Sequence, residues 1–334
     1  MSKKEKNYTP NQYFLDKFPA GKSGNKTNGL NEGVVRQASP FFWHKPELQE
    51  FGELQTAVIN HHRKSPEISA EYSSGAHRGP AYTERKDSKS TLSTEQATKN
   101  IKEFVLANEG DLVGIVPLDP LWVYEGFEIK EPWVILIGVA MDHQKLNQAP
   151  ASFENPTAGV EVAEKYNQAS RTCRNLVNYI SSQGYDAKAF PGPFATALNM
   201  IPAAIAAGLG ELGKHGSMIN REFGSNFRLS AVTTDLPLLS DQPDEFGADW
   251  FCHRCQVCSN ACPPDAIHSE KQLVRGVEKW FVDFDKCIPY FGETMACGIC
   301  IARCPWSTPE RAPKLAEKWT RRLDKENTEK ASQR

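Results

Sequence analysis

No run of about 20 apolar residues occurs in the 334-residue chain, so no segment has the length and apolarity of a membrane-spanning helix. Neither sign of charge is in surplus: 39 Lys and Arg face 41 Asp and Glu, a balance that advertises neither nucleic acid nor an anionic membrane. The start, Met1 to Pro10, holds Lys3, Lys4 and Lys6 but neither an apolar signal core nor an Arg-Arg pair, so a cytoplasmic protein is expected. Histidines lack the spacing of a metal site, since His61 and His62 are adjacent and His44, His77, His143, His215, His253 and His268 stand alone. Cysteine is almost missing outside one stretch: of nine, only Cys173 lies apart, on a helical face where it reads as core packing.

The other eight form two runs, Cys252-x2-Cys255-x2-Cys258-x3-Cys262-Pro263 and Cys287-x9-Cys297-x2-Cys300-x3-Cys304-Pro305. Short intervals let consecutive thiolates wrap one cube of iron and sulfide, the x3 step carries the last cysteine away, and the proline stops a helix from continuing. In the ferredoxin arrangement the fourth cysteine of each run ligates the other run's cluster. The expected sets are then Cys252, Cys255, Cys258, Cys304 and Cys287, Cys297, Cys300, Cys262. The x9 gap makes Cys287 the ligand most in need of proof. Zinc is the rival, because Cys-x2-Cys pairs also build tetrahedral sites, although a zinc ribbon asks for two pairs rather than two runs ending in Cys-Pro. Cysteines in metal-type spacing fit a reducing compartment better than a disulfide scaffold.

Upstream, residues 1–98 are polar and rich in turn-formers, with Ser73-Ser74-Gly75 and a charged stretch from Glu84 to Lys89, and are expected to wrap the surface or stay loosely ordered. Within them Pro40-Phe41-Phe42-Trp43-His44 is an aromatic knot, read as a packing anchor in preference to a wall over a flat ligand. Periodicity then predicts a helix over 94–108, apolar strands over 112–116 and 133–141, and a strand over 227–234. A long amphipathic helix carries Val162, Tyr166, Ala169, Cys173, Leu176, Val177 and Ile180 inward. A second helix, from Phe194 to Ala207, is expected to be interrupted or kinked at Pro202. Past the cysteines, Lys314 to Arg334 reads as a solvated helix running into disorder.

Gly208-x-Gly210-x2-Gly213 matches the dinucleotide fingerprint in letters only, because a helix precedes it and a strand follows, the reverse of what that motif needs. What survives is a backbone with few side chains, suited to close approach by a large planar cofactor or to tight helix-strand packing.

Gly184-Tyr185-Asp186-Ala187, Asn199, Ala207 to Gly216, Phe223 to Leu229 and Thr234 to Leu238, followed by both cysteine runs, resemble the corrinoid- and iron-sulfur-dependent reductive dehalogenases over about Glu103 to Ser307. Cys287-Ile288-Pro289-Tyr290 and Cys304-Pro305-Trp306 also resemble epoxyqueuosine reductase, which shares the corrinoid domain and clusters but acts on tRNA. A ferredoxin-like electron carrier without catalysis of its own is the third reading.

The resemblance to the dehalogenases implies an α/β (α+β) fold: a nitroreductase-like corrinoid-binding domain over 99–245, a bacterial-ferredoxin-like module with two [4Fe-4S] clusters over 246–310, and a charged tail over 311–334. It implies base-off cobalamin, and no Asp-x-His-x2-Gly stretch offers a lower histidine ligand. Electrons would pass from an outer cluster to an inner one and on to cobalt, which cleaves a carbon-halogen bond. The implied proton donor falls on Tyr166, with Tyr179 and Tyr185 as alternatives. The implied cation that stabilises its phenolate falls on Arg228, with Lys214 as competitor, and Asn199 would orient substrate or donor. Gly208, Gly210, Gly213, Lys214 and His215 are the expected cofactor loop. Partners are a small organohalide and a separate reductase or ferredoxin, since no flavin and ferredoxin-reductase segment follows the clusters; DNA is not expected, and tRNA only under the alternative. Pocket-lining candidates are Phe42, Trp43, Trp122 and Tyr124, with an aryl halide the preferred substrate.

Overall fold

In the computed structural model, which describes residues 6–73, 78–194 and 196–332, the centre is a four-stranded sheet. Lys3, Lys4, Ser74, Gly75, His77 and Arg334, all named above, lie outside the described residues. Before the sheet come four helices, α1 (Gln12–Leu15), α2 (Gly24–Thr27), α3 (Gly52–His62) and α4 (Pro66–Ser73). The central elements are α5 (Thr94–Ala107), β1 (Leu112–Pro117), β2 (Trp133–Ala140), α6 (His143–Leu146), α7 (Thr157–Ser182), β3 (Ala187–Phe190), α8 (Met200–Ala206), β4 (Glu211–Leu212), β5 (Met218–Ile219) and β6 (Phe227–Thr234). The cysteine region holds α9 (Ala248–Arg254), α10 (Val257–Ala261), the hairpin β7 (Gln272–Val274) and β8 (Val277–Lys279), α11 (Phe284–Glu293) and α12 (Ile299–Ala302), and α13 (Arg311–Ser332) follows.

The sheet order is β1-β2-β6-β3 and every pairing is antiparallel. Its second strand is apolar throughout because both faces are covered. Ile135, Ile137 and Val139 meet α5 and α7 through Ile101, Val105, Cys173 and Leu176, while Val134 and Leu136 meet Ala203 and Ala204 of α8. The fold is thus mixed α/β, as expected. Cys173 is buried in this core, and burial pushes its thiol up to about 12.

Several elements depart from the periodicity. The helix expected from Phe194 starts only at Met200, with Asn199 extended at its N-cap. Pro202 then falls in the first turn, where a missing N–H breaks no intrahelical bond, so it has no helix interior to kink. The tail is not simply solvated: Ala312, Ala316 and Trp319 recur at steps of four and three and are buried, with Trp319 against Trp250 and Phe251. The aromatic knot divides. Phe41 and Phe42 pack with Phe51 and Phe284 between α3 and α11, while Trp43, with a left-handed φ of 72°, packs on the edge of the same cluster, edge-on to Phe42 at 5.0 Å. Among the described residues no helix is long and apolar enough to cross a membrane.

Candidate active site and cluster module

Alternation along β6 places Arg228, Ser230 and Val232 on the α7 side and Phe227, Leu229 and Ala231 on the other. Arg228 therefore meets α7 near the start of the strand, its guanidinium carbon 5.4 Å from the centre of the Tyr166 ring. On α7 the residues Val162, Tyr166, Asn167, Ser170 and Arg174, three and four apart, form one stripe. That stripe is a wall of a cavity of about 490 Å³. The loop after β3 closes one side, and Gly192 permits its approach: its φ is 63°, and a Cβ there would stand 3.2 Å from Cε1 of Tyr166.

The remaining walls come from outside the sheet. Trp43 reaches in edge-on to Phe194 (6.1 Å) and Phe291 (6.0 Å), and α3 and α4 supply His62, Arg63 and Tyr72. His62 Nε2 lies 3.1 Å from the Phe291 carbonyl and 3.2 Å from the Ala296 amide, tying α3 to the cysteine region. Burial lowers the His62 pKa to about 4, so the ring is neutral at pH 7. Burial also raises the Tyr72 phenol; Tyr166 adds to the rise and Arg228 opposes it, which places all three groups within electrostatic reach. Four arginines, Arg63, Arg78, Arg174 and Arg228, line the cavity and none of the lining residues is Asp or Glu. The Nε atoms of Arg174 and Arg228 are buried without a hydrogen-bond partner among the described residues.

Of the expected site residues, the structure brings Tyr166 and Arg228 together and leaves the others elsewhere. Tyr179 stacks on Phe104 at 4.4 Å, and Tyr185 points its hydroxyl at the Ser90 carbonyl. Asn199 spends its backbone N–H on the Trp122 carbonyl and does not line the cavity. Phe42, Trp122 and Tyr124 do not line it either. The loop 208–216 lies on the cluster side instead. A Cβ on Gly208 would stand 2.5 Å from the Gln242 carbonyl oxygen, and one on Gly210 would stand 2.1 Å from that of Ile219, so both glycines serve backbone packing. Gly213 packs on the His215 ring. The Lys214 N–H donates to Cys252 Sγ at 3.5 Å, and His215 Nε2 is 2.9 Å from Ser225 Oγ, whose hydroxyl in turn bonds the Cys304 thiol. Burial holds His215 neutral, with a pKa of about 4. Sequence reasoning missed Tyr72, His62, Arg63, Arg78 and Arg174. His62 and Tyr72 carried no periodic signal, whereas Arg174 stands eight residues beyond Tyr166 on the same helical stripe.

The thiols influence one another across the two runs. Cys252 is raised by burial and then by Cys304, Cys258 and Cys255; Cys304, at about 12, by burial and then by Cys258 and Cys255. Cys287, also at about 12, is raised by burial and then by Cys297 and Cys262. Cys300 is raised well above the usual thiol range by burial, then by Cys297 and Cys287, and less by Cys258 and Cys262. Four buried thiols cannot ionise side by side without cationic metal, which is the condition an iron-sulfur cube meets. Among the described residues no three His, Cys, Asp or Glu gather as ligands of a single metal ion do. A cube holds its thiolates at separate corners, farther apart than one zinc ion does.

A 4Fe-4S dicluster domain model matches residues 251–308, which span all eight cysteines. A tetrachloroethene reductive dehalogenase of Desulfitobacterium hafniense is 30% identical over 214 residues, covering 60% of this chain and 37% of its own length. Epoxyqueuosine reductase of Salmonella typhimurium is 30% identical over 197 residues, covering 52% of this chain and 47% of the enzyme. In fold, a catabolic reductive dehalogenase solved in complex with 3-bromo-4-hydroxybenzoic acid superposes with a TM-score of 0.68 at 21% identity, covering 86% of this chain and 44% of that one. The chain thus spans less than half the length of the reductive dehalogenases it matches, and it is similar to them in sequence and in fold.

Proposed function

We propose that the protein is an oxidoreductase that replaces the halogen of an anionic aryl halide by hydrogen. The observation that carries this reading is the Tyr166–Arg228 pair on the wall of a cavity whose opposite wall, Phe291 and Ala296, is part of the cysteine region. Cys252, Cys255, Cys258 and Cys304 hold one [4Fe-4S] cluster and Cys262, Cys287, Cys297 and Cys300 the other. Ala296 precedes Cys297, so the second cluster is the inner one and faces the cavity. Electrons arrive from a separate reductase or ferredoxin in the cytoplasm.

The cavity's aromatic walls and the exposed Arg63 and Arg78 suit a corrinoid, and a cobalamin there would supply electrons to the carbon-halogen bond. Trp43, Phe194 and Phe291 would hold its flat face, and the exposed Arg63 and Arg78 its phosphate. The chain's own work is binding, orientation and proton supply. Arg174 binds the carboxylate or phenolate of the substrate through its free Nε, and the absence of lining carboxylates leaves that anion unopposed. Tyr166 gives its phenolic proton to the carbon that loses halide, and Arg228 over its ring stabilises the phenolate left behind. Tyr72, raised by burial, keeps its proton and lends hydrogen bonding only.

The fold neighbour's ligand, a hydroxylated and carboxylated bromoarene, is an anion of this class. The tRNA reading needs a carboxylic acid donor, which neither the cavity lining nor α8 contains. Anaerobic reconstitution with iron, sulfide and cobalamin, followed by halide release from 3-bromo-4-hydroxybenzoate, tests the proposal. Uptake of two clusters with no corrinoid, or corrinoid uptake without halide release from any anionic aryl halide, overturns it.

A further inference from the structure

Lys214 is a charged side chain with no salt-bridge partner among the described residues. It is only 1% exposed, and its Nζ has no hydrogen-bond partner among the described residues. The ammonium sits 4.8 Å from the centre of the Trp280 ring, its charge acts on the Cys258 thiol, and its own backbone N–H donates to Cys252 Sγ. The nearby carboxylates are engaged elsewhere. Asp249 takes the Trp280 indole N–H at 2.6 Å and the Lys271 ammonium at 2.7 Å, and Glu211 takes the backbone amides of Phe246, Ala248 and Asp249. An ammonium buried without a counter-charge is strongly destabilising, and a stacked indole compensates only part of that. The group that fits is the cluster itself: a cube held by four thiolates is an anion, and its reduction adds one more negative charge.

We propose that Lys214 is the counter-ion of the cluster held by Cys252, Cys255, Cys258 and Cys304 and sets its reduction potential. It is a positioning residue acting through the cluster, which takes one electron from an external reductant. Because the reduced cube is the more negative, a fixed positive charge beside it favours reduction.

The test uses the full chain loaded with iron and sulfide only, titrated with a low-potential chemical reductant and followed by electron paramagnetic resonance of both clusters. Neither corrinoid nor organohalide is added, so the result stands apart from the reaction proposed above. In Lys214→Met the reduction equilibrium of one cluster is expected to fall about tenfold, about 59 mV for a one-electron couple, while the other cluster is unmoved. Lys214→Arg is expected to restore it. Unchanged potentials in a fully loaded Lys214→Met protein overturn the proposal. If Lys214→Met fails to load that cluster, loading by Lys214→Arg upholds the requirement for charge, and failure of both variants removes it.

Discussion

Replacing Tyr166 by Phe removes one oxygen from the site and little else. The ring keeps its place beneath Arg228, 5.4 Å from the guanidinium, and beside Gly192, because neither contact involves the hydroxyl. Substrate binding by the arginines is unaffected, so the loss falls on kcat with KM nearly constant. A positioned proton donor is worth roughly 10²- to 10⁴-fold, or roughly 3–5 kcal/mol of activation free energy. The assay is anaerobic halide release at saturating aryl halide, with iron and corrinoid content measured in the same sample. Tyr72→Phe is the matched control: it deletes the other phenol of the cavity, whose proton burial holds more tightly than in an ordinary phenol, and is expected to retain activity within about tenfold. A cofactor-loaded Tyr166→Phe enzyme with near-normal kcat refutes the assignment, and a Tyr72→Phe enzyme that alone is inactive moves the donor to α4.

Arg174→Gln removes a charge-assisted hydrogen bond and should raise KM for an anionic aryl halide roughly tenfold to a hundredfold, leaving a neutral halide untouched; equal effects on both would sink the anion assignment. Anaerobic iron chelation should loosen α10 to α12, where buried thiols lose their metal, and leave the central sheet protected, as read by hydrogen exchange; uniform protection before and after would contradict the cluster assignment. His62 is neutral in the fold with a pKa of about 4, against about 6.5 in an unfolded chain. The unfolded chain therefore takes up the proton first. Its contribution is complete above pH about 6.5 and declines towards pH 4 by up to about 1.4 kcal/mol per unit, so thermal melts between pH 7 and 5 should be steeper in pH for the wild type than for His62→Gln. Equal slopes would show that His62 is not the neutral tether described.

Local pattern was enough for elements whose neighbours in sequence decide them. The apolar run 133–141, the alternation from Phe227 to Thr234 and the stripe of α7 all became what their periods implied, because burial on one or two faces is written into residue spacing. Pairing partners are not written there, so the antiparallel order of the sheet had to come from the structure. The loop 208–216 was legible as a place of close approach but not as to what approaches: its partners, Gln242, Cys252 and Ser225, are remote in sequence. Residues 6–73 gave least, since α3 and α4 have weak periodicity and their contribution, His62, Arg63 and Tyr72 on one cavity wall, exists only once α3 is docked on α11.

Phe291 follows Cys287 by one helical turn, and Ala296 immediately precedes Cys297. The strip of chain proposed to hold the inner cluster is therefore the same strip that walls the cavity, which couples the two. On the proposed cluster assignment, loss of the cluster to oxygen would free Phe291 and Ala296 and so disturb the cavity as well as the electron path. By the same coupling, a ligand seated against Phe291 favours the conformation that binds iron. Under the proposed function, an aryl halide seated there would slow the loss of the cluster.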